Sequence, residues 1–494
     1  MPTEAAPSEV VIAGDAGTTG VRAFAVDRSS TPQGWSYREF TQHFPQPGWV
    51  EHDANEIWTA VQTTIGDLCE RLPPASQVVA VGITNQRETV VAWDRRTGEP
   101  LHRAIVWQDR RTAARCEELE PELGRIRAAT GLVLDPYFSA SKMEWLLRTT
   151  DVGAHPDLAL GTIDDWILWK LTGEHATDPS NASRTMLYDI TARRWDEGLC
   201  SLFGVPIAAL GDVRASSGRF GTVREGPLAG VPVSGVLGDQ QAALLGQAAL
   251  RPGMAKNTYG TGSFVLMNVG STCPAPSDGL LTTVAWDLGR HGFAYALEGA
   301  VFATGAAIQW LRDGLQIISE ASEIGPLAES VAGTDGVYFV PAFTGLGSPW
   351  WDPYARGTIV GLTRGIGRAH LARAVVESIA FQVRDVVDRM IEVSGTALAE
   401  LRVDGGASVM DLLLRLQADQ LGVAVSRPSI TETTALGAAY AAGLAEGAWE
   451  STDDVAAAWK EDTRIEPQLD RTAADAAYAG WRRAVERASR WATD

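Results

Sequence analysis

Val10-Val11-Ile12-Ala13-Gly14-Asp15-Ala16-Gly17-Thr18-Thr19-Gly20-Val21-Arg22-Ala23-Phe24-Ala25-Val26 is the stretch on which the fold is read. Val10 to Ala13 reads as a strand, Gly14 to Gly20 as a tight turn of small residues, and Val21 to Val26 as the returning strand. The second half of the chain repeats this plan. Ala255-Lys256-Asn257-Thr258-Tyr259 runs into Gly260-Thr261-Gly262-Ser263 and returns as Phe264-Val265-Leu266-Met267-Asn268-Val269. The repetition predicts a duplicated domain, joined near Leu250-Arg251-Pro252-Gly253, where Pro and Gly interrupt a helix expected over Gln240 to Ala249.

Around these hairpins, strands alternate with helices, the pattern of an α/β protein. Asp53 reads as the N-cap of a helix with Glu56 three residues on, and Ile57, Val61, Ile65, Leu68 and Leu72 fall on one face. Gln77 to Thr84, Thr89 to Asp94 and Ala104 to Trp107 read as strands. Leu401 to Asp404 is a further strand ending in Gly405-Gly406, followed by a helix carrying Leu412, Leu413, Leu416 and Leu421. Two similar domains would face each other across a cleft, each offering a glycine turn.

The 494 residues carry 42 Lys+Arg against 61 Asp+Glu, a formal charge of −19. So acidic a surface argues against nucleic acid, whose phosphates need a basic one. At 45% hydrophobic residues the chain buries large cores, and its length allows roughly three domains. Cys69, Cys116, Cys200 and Cys273 are spaced for neither a zinc site nor a disulfide framework. With no basic residue before Arg22, only a short first apolar run, and a glycine- and proline-broken stretch from Asn257 to Ser277, the sequence predicts a cytoplasmic protein without membrane insertion.

Glycines at a strand turn let backbone N–H groups approach phosphate oxygens, and Thr hydroxyls add donors without bulk. Gly17-Thr18-Thr19-Gly20 and Gly260-Thr261-Gly262 both fit, although either alone also reads as a plain hairpin turn. Neither is a Walker motif, since no Gly-Lys-Ser/Thr follows. Asp15 is a candidate for holding Mg²⁺ directly or through water, with an Asx-type turn as its plain alternative. Asp239 is expected where a strand ends and a helix begins, its carboxylate facing the cleft while capping that helix.

Further motifs carry a family likeness: Gly48-Trp49-Val50-Glu51-His52-Asp53, Gly82-Ile83-Thr84-Asn85-Gln86-Arg87-Glu88-Thr89, Trp107-Gln108-Asp109-Arg110-Arg111-Thr112, Asn181-Ala182-Ser183-Arg184-Thr185-Met186-Leu187, Gly238-Asp239-Gln240-Gln241-Ala242-Ala243-Leu244 and Pro341-Ala342-Phe343-Thr344-Gly345-Leu346-Gly347. With the two hairpins they resemble the FGGY carbohydrate kinase family, in its glycerol-phosphorylating branch, over roughly residues 9 to 450. The resemblance implies two duplicated actin/hexokinase-like (ribonuclease H-like) domains flanking a catalytic cleft. Residues 1–252 would hold the acceptor site and first phosphate hairpin, and residues 253–494 the nucleotide side and second hairpin. It also implies glycerol as acceptor, ATP with Mg²⁺ as donor, and room for a homo-oligomer.

Carried over residue by residue, Arg87 and Glu88 would hydrogen-bond the acceptor hydroxyls. Trp107 and Phe264 would wall its carbon side, Tyr137 would add a hydroxyl, and Gln240 a further hydrogen bond. Asp239 would be the general base and, with Asp15, a metal ligand. Thr18, Thr19, Arg22, Thr261, Gly262, Gly305, Gln309, Gly406 and Met410 would face the nucleotide. Three departures fall on that side: Ala16 where the branch usually has Gln, Gly20-Val21 where it usually has two Ser, and Met410 where Asn is usual. The segment 220–230 also lacks the Lys- and Gly-rich loop that binds fructose 1,6-bisphosphate in some members. Two other readings stay open. One is an FGGY kinase for another polyol or ketose, and the other is a non-catalytic sensor that closes on a ligand without turnover.

Overall fold

The computed structural model describes residues 8–492. Strand β1 (Ser8–Ala16) returns through Gly17 to Thr19 into β2 (Gly20–Asp27), which pairs in turn with β3 (Pro32–Glu39). The turn is shorter than the glycine spacing predicts. Gly14, Asp15 and Ala16 belong to β1, because that strand also pairs in parallel with β4 (Ser76–Asn85), Asp15 against Thr84 and Ala16 against Asn85. Asp15 is thus fixed by ladders on both sides and is not an Asx-turn residue.

Helix α1 (Ala54–Arg71) starts where expected, with Asp53 Oδ1 accepting from the Asn55 N–H at 2.8 Å. It buries Ile57, Val61, Ile65 and Leu68. Strands β5 (Ser217–Thr222) and β6 (Pro232–Gly238) complete a sheet of order β5-β6-β4-β1-β2-β3. Helix α2 (Asp239–Gly246) follows β6 directly and is shorter than the expected 240–249, since Ala248 takes a left-handed φ of 47°.

The second sheet rebuilds the first. Strands β7 (Met254–Tyr259), β8 (Ser263–Gly270), β9 (Leu281–Asp287), β10 (Phe293–Val301), β11 (Glu400–Asp404), β12 (Val425–Pro428) and β13 (Glu461–Ile465) lie in the order β9-β10-β8-β7-β11-β12-β13. The β7/β8 hairpin matches β1/β2, parallel β7/β11 matches β1/β4, parallel β11/β12 matches β4/β6, and antiparallel β12/β13 matches β6/β5. Helices α3 (Arg368–Ser394) and α4 (Asp411–Leu421) pack on this sheet.

Alternation along β1 explains its unbroken apolar run. Val10 and Ile12 face α1, whereas Val11 and Ala13 face a core shared with α5 (Thr433–Glu446), so both faces are covered. Helix α5 is encoded in the second half but lies on β4, β6 and α2 of the first. Its Ala- and Gly-rich surface lets backbones touch. A Cβ on Gly437 would stand 1.8 Å from the Ala242 carbonyl oxygen, and one on Gly82 would stand 2.2 Å from that of Ala438. Asp404, at the end of β11, accepts from Gln247 Nε2 (2.8 Å) and Thr433 Oγ1 (2.6 Å), tying the same joint. Among the described residues no helix is long and apolar enough to cross a membrane.

Gly437→Ala should therefore push α5 off α2. Overpacking of this kind costs about 1–3 kcal/mol, so the calorimetric Tm should fall; an unchanged Tm would mean that the joint has slack.

Candidate active site in the interdomain cleft

Arg87 and Glu88 leave the end of β4 in a sharp turn, with Thr89 N–H donating to the Arg87 carbonyl (2.8 Å) and Glu88 at a φ of 62°. A non-glycine residue held there marks a backbone that the surroundings have forced. Both side chains are buried. Arg87 Nη1 donates to Glu298 Oε2 (2.6 Å) and Gln241 Oε1 (3.2 Å), and Nη2 donates to Glu298 Oε1 (3.2 Å) and the Tyr137 hydroxyl (3.3 Å). That leaves Nε, which lies 3.1 Å from Asp239 Oδ1. Arg184 adds a second cation, Nε donating to Glu88 Oε1 (2.7 Å) and Nη2 to Glu298 Oε1 (3.1 Å). Two guanidinium groups and two carboxylates thus balance within one buried cluster. Burial alone would raise the Glu298 pKa, but Arg184 and Arg87 outweigh it and hold it at about 2.

Arg184 Nη1 is buried without a partner among the described residues, and Arg87 Nε faces Asp239. Asp239 opens α2 with Gly238 in the cap position, and its Oδ1 accepts the Gln240 backbone N–H at 2.7 Å. Tyr137 packs edge-on against Trp107 with ring centroids 5.5 Å apart. Phe264 lies on the second sheet between Thr258 and Ala300, on the same face as Lys256 and Glu298. Lys256 is buried, with its ammonium on Gln240 Oε1 and, at 3.1 Å, on Thr258 Oγ1. Burial pushes its pKa down to about 8.

A closed ring of hydrogen bonds joins Trp107 to the first hairpin. Trp107 Nε1 donates to Thr18 Oγ1 (3.0 Å), and its backbone N–H donates to Thr89 Oγ1 (3.2 Å). Thr89 donates to Gln86 Oε1 (2.9 Å), and Gln86 Nε2 reaches the Gly17 carbonyl (3.1 Å) and His52 Nδ1 (3.3 Å). His52 Nε2 meets Gln42 Oε1 (2.9 Å), and Gln42 Nε2 returns to the Thr18 carbonyl (2.7 Å). With Gln86 donating to Nδ1 and Gln42 accepting from Nε2, the ring closes only on a neutral imidazole. Burial, with His43 adding to it, pushes the His52 pKa down to about 4.

On the nucleotide side, Thr261, Gly305, Gln309, Gly406 and Met410 line one cavity of about 840 Å³. Gly305 begins a short helix whose backbone N–H donates to the Gly260 carbonyl at 3.0 Å, and a Cβ there would come within 2.7 Å of the same oxygen. Gly262 does not line the cavity; it is tight because Val301 and Phe302 carbonyls pack against it. Met410 is the cap residue of α4 and packs toward Gly325. Thr19 is exposed, 3.4 Å from the Tyr37 hydroxyl. Tyr37 also accounts for Gly20: a Cβ there would stand 2.6 Å from that hydroxyl. Arg22, read in the sequence as a phosphate-side or solvated charge, pairs with Glu432 of the second half.

Asp15, at the end of β1, and Asp239, at the start of α2, repel each other within the first domain. Burial first, then the Asp239 charge, raises the Asp15 pKa to about 7, against the pull of Arg22. Among the described residues no group of three His, Cys, Asp or Glu stands ready for a metal. Two carboxylates suit Mg²⁺, which keeps waters and shares substrate phosphates in place of an all-protein cage.

Residues 10–246 match the N-terminal domain of the FGGY family of carbohydrate kinases, and residues 255–446 match its C-terminal domain. The chain belongs to the FGGY family of carbohydrate kinases. It is 54% identical over 495 residues to a protein named glycerol kinase from Dechloromonas aromatica, with 98% of each covered. It is 52% identical over 499 residues to another of that name from Deinococcus radiodurans, covering 98% of this chain and 99% of the relative. The crystal structure of Plasmodium falciparum glycerol kinase with ADP matches it with a TM-score of 0.93 at 33% identity, covering 97% of this chain and 98% of that one.

In this FGGY kinase the cluster includes four residues to which sequence reading assigned no role: Arg184, Gln241, Lys256 and Glu298. Arg184 and Gln241 sit inside conspicuous motifs, and a charge within an apolar strand was the available signal for Lys256 and Glu298. No local pattern shows that Glu298 meets Arg87. The His52 pKa supplies a test with a definite sign. Because it lies below the unfolded value of 6.5, the stability contributed by neutral His52 is complete above pH 6.5 and is lost as pH falls toward 4. His175, also pushed to about 4 by burial, adds a parallel loss that remains in a variant. The Tm gap between wild type and His52→Gln should therefore narrow from pH 6.5 to 4; a constant gap would rule out this protonation penalty.

Proposed function

We propose that the protein transfers the γ-phosphoryl group of ATP to a terminal hydroxyl of glycerol, giving sn-glycerol 3-phosphate. The observation that carries this reading is the convergence of buried Arg87 and Glu88 with half-buried Tyr137, Trp107 and Asp239 at one corner, beside the first glycine hairpin. The glycerol kinase relatives support it. A triol needs donors and acceptors a few ångströms apart beside an apolar wall, and here guanidinium, carboxylate and indole are adjacent. We take residues 1–252 as the acceptor half and residues 253–494 as the nucleotide half, with the α5 joint between them. All four cysteines are unpaired, which supports the cytoplasmic setting read from the sequence.

Asp239 accepts the proton of the attacking hydroxyl as that oxygen bonds to phosphorus and the bond to the bridging oxygen breaks, releasing ADP. A base contributes about 10²–10⁴-fold, and the rest comes from positioning and charge neutralisation. Arg87 Nε, 3.1 Å from Asp239 Oδ1, turns its single N–H to an acceptor hydroxyl, Glu88 accepts from another, Gln240 adds a hydrogen bond, and Trp107, Tyr137 and Phe264 exclude water. Thr18, Thr19 and Arg22 face the phosphates from the first hairpin, the last by exchanging Glu432. Thr261 faces them from the second, where Gly262 packs against the Val301 and Phe302 carbonyls, with Gly305, Gln309, Gly406 and Met410 around the rest of the nucleotide. Asp15, with Asp239, would hold Mg²⁺ directly or through water. When bound, the ion neutralises phosphate charge.

Assayed on glycerol, dihydroxyacetone, erythritol and xylulose with ATP-Mg²⁺, the protein should turn over glycerol with the highest kcat/KM, and a clear preference for xylulose would overturn the assignment. Asp239→Asn should keep glycerol binding and lose about 10²–10⁴-fold in kcat; near-normal turnover would remove the base from this scheme.

Met410→Asn tests the departure at the nucleotide cavity. Asn is a strong N-cap, worth about 0.5–2 kcal/mol, and it also restores a hydrogen-bonding group to the cavity. Tm should rise, and KM for ATP should fall by a few-fold, up to about tenfold, with KM for glycerol unchanged. If neither Tm nor KM for ATP moves, Met410 only packs.

A further inference from the structure

The acceptor cluster is assembled from both domains. Arg87, Glu88, Arg184, Asp239 and Gln240 come from the first half of the chain, whereas Glu298 and Lys256 come from the second sheet. Glu298 lies in the middle of β10, paired with Leu266 of β8 on one side and Leu281 of β9 on the other. Lys256 of β7 pairs with the opposite side of Leu266, so both charges project from one face of the second sheet. Each ends on a first-domain residue of the candidate acceptor site: Glu298 on Arg87, and Lys256 on Gln240.

The Glu298 contact is the more constraining. Its two oxygens engage both Nη atoms of Arg87, at 2.6 and 3.2 Å. A bidentate carboxylate fixes the plane of a guanidinium as well as its position. Gln241 and Tyr137 hold the outer N–H groups of the same fork, so Nε alone is turned toward Asp239. Arg87, Glu298 and Gln241 are buried and Tyr137 is half-buried, and among the described residues no other carboxylate is hydrogen-bonded to the Nη atoms. Without Glu298, Arg87 would be free to swing its fork onto Asp239, masking that carboxylate and withdrawing the Nε donor.

We propose that Glu298 is the positioning residue of the acceptor site: docked from the second domain onto Arg87, it aims that side chain at the acceptor hydroxyl and Asp239, so that acceptor affinity depends on the interdomain contact. This inference rests on the kinase reading above. A purely structural ion pair would also hold the domains together, but its loss would not single out one substrate.

The test compares wild type, Glu298→Gln and Glu298→Asp as full chains. For each, Tm is recorded, KM is measured separately for glycerol and ATP, and glycerol affinity is measured by calorimetry with and without a non-hydrolysable ATP analogue. Glu298→Gln is expected to raise KM for glycerol about 10- to 100-fold and to lower kcat, with KM for ATP within about twofold. It should also abolish any tightening of glycerol binding by the analogue seen in wild type. Glu298→Asp keeps the cluster neutral but shortens the reach, and it should raise KM for glycerol several-fold. An unchanged KM for glycerol in either folded variant, or equal increases for glycerol and ATP, would overturn the proposal. If Glu298→Gln does not fold, the aspartate variant decides the question. Should wild type prefer another polyol, the assignment of glycerol fails, and the same split measured with that polyol still tests Glu298.

Discussion

Backbone-to-backbone contact between α5 and the first domain is the constraint on which the rest of the structure depends. At Gly437 against Ala242, and at Gly82 against Ala438, the approach leaves no room for a Cβ. A helix of the second half is thereby seated on the sheet and helix that carry Arg87 and Asp239. Larger side chains at those positions would hold the two sheets farther apart, and polar contacts at the cleft would be the first to suffer, because hydrogen bonds weaken over a few tenths of an ångström while apolar packing can rearrange. Asp404, bonded to Gln247 and Thr433, ties the ends of α2 and α5 at the same joint.

The joint permits a cluster that would otherwise be costly. Arg87, Arg184, Glu88 and Glu298 are all buried, and the desolvation of four charges is offset only if they pair well. They do so across the domain boundary, with the charges summing to zero. Such a cluster is weak evidence for stability, because well-packed apolar residues would serve as well. Its value lies in orientation: it fixes the Arg87 fork and leaves one oxygen-rich, donor-rich corner beside Trp107 and Tyr137.

The hydrogen-bonded ring through Thr18, Trp107, Thr89, Gln86, His52 and Gln42 couples that corner to the first glycine hairpin. Trp107, packed against Tyr137, also holds the Thr18 hydroxyl of the hairpin, so the corner and the hairpin form one hydrogen-bonded unit. The departures at Gly20 and Met410 also find physical settings. Tyr37 fills the space that a side chain at position 20 would need, and Met410 lies between a cavity wall and the start of α4.

The sequence by itself determined the duplication, the two hairpins and the α/β class. Each of these is written in local patterns: strand and turn residues in repeated order, a capped amphipathic helix, or a motif of contiguous residues. Tertiary structure alone decided that Asp15 is a strand residue, that Gly262 is a packing position, that Arg22 pairs with Glu432, and that Glu298 and Lys256 reach Arg87 and Gln240 of the first domain. Those facts depend on which elements become neighbours after folding, in particular on α5 crossing back over the first sheet. The partners lie up to several hundred residues apart, and a local pattern carries no information about a pairing that only long-range packing brings about.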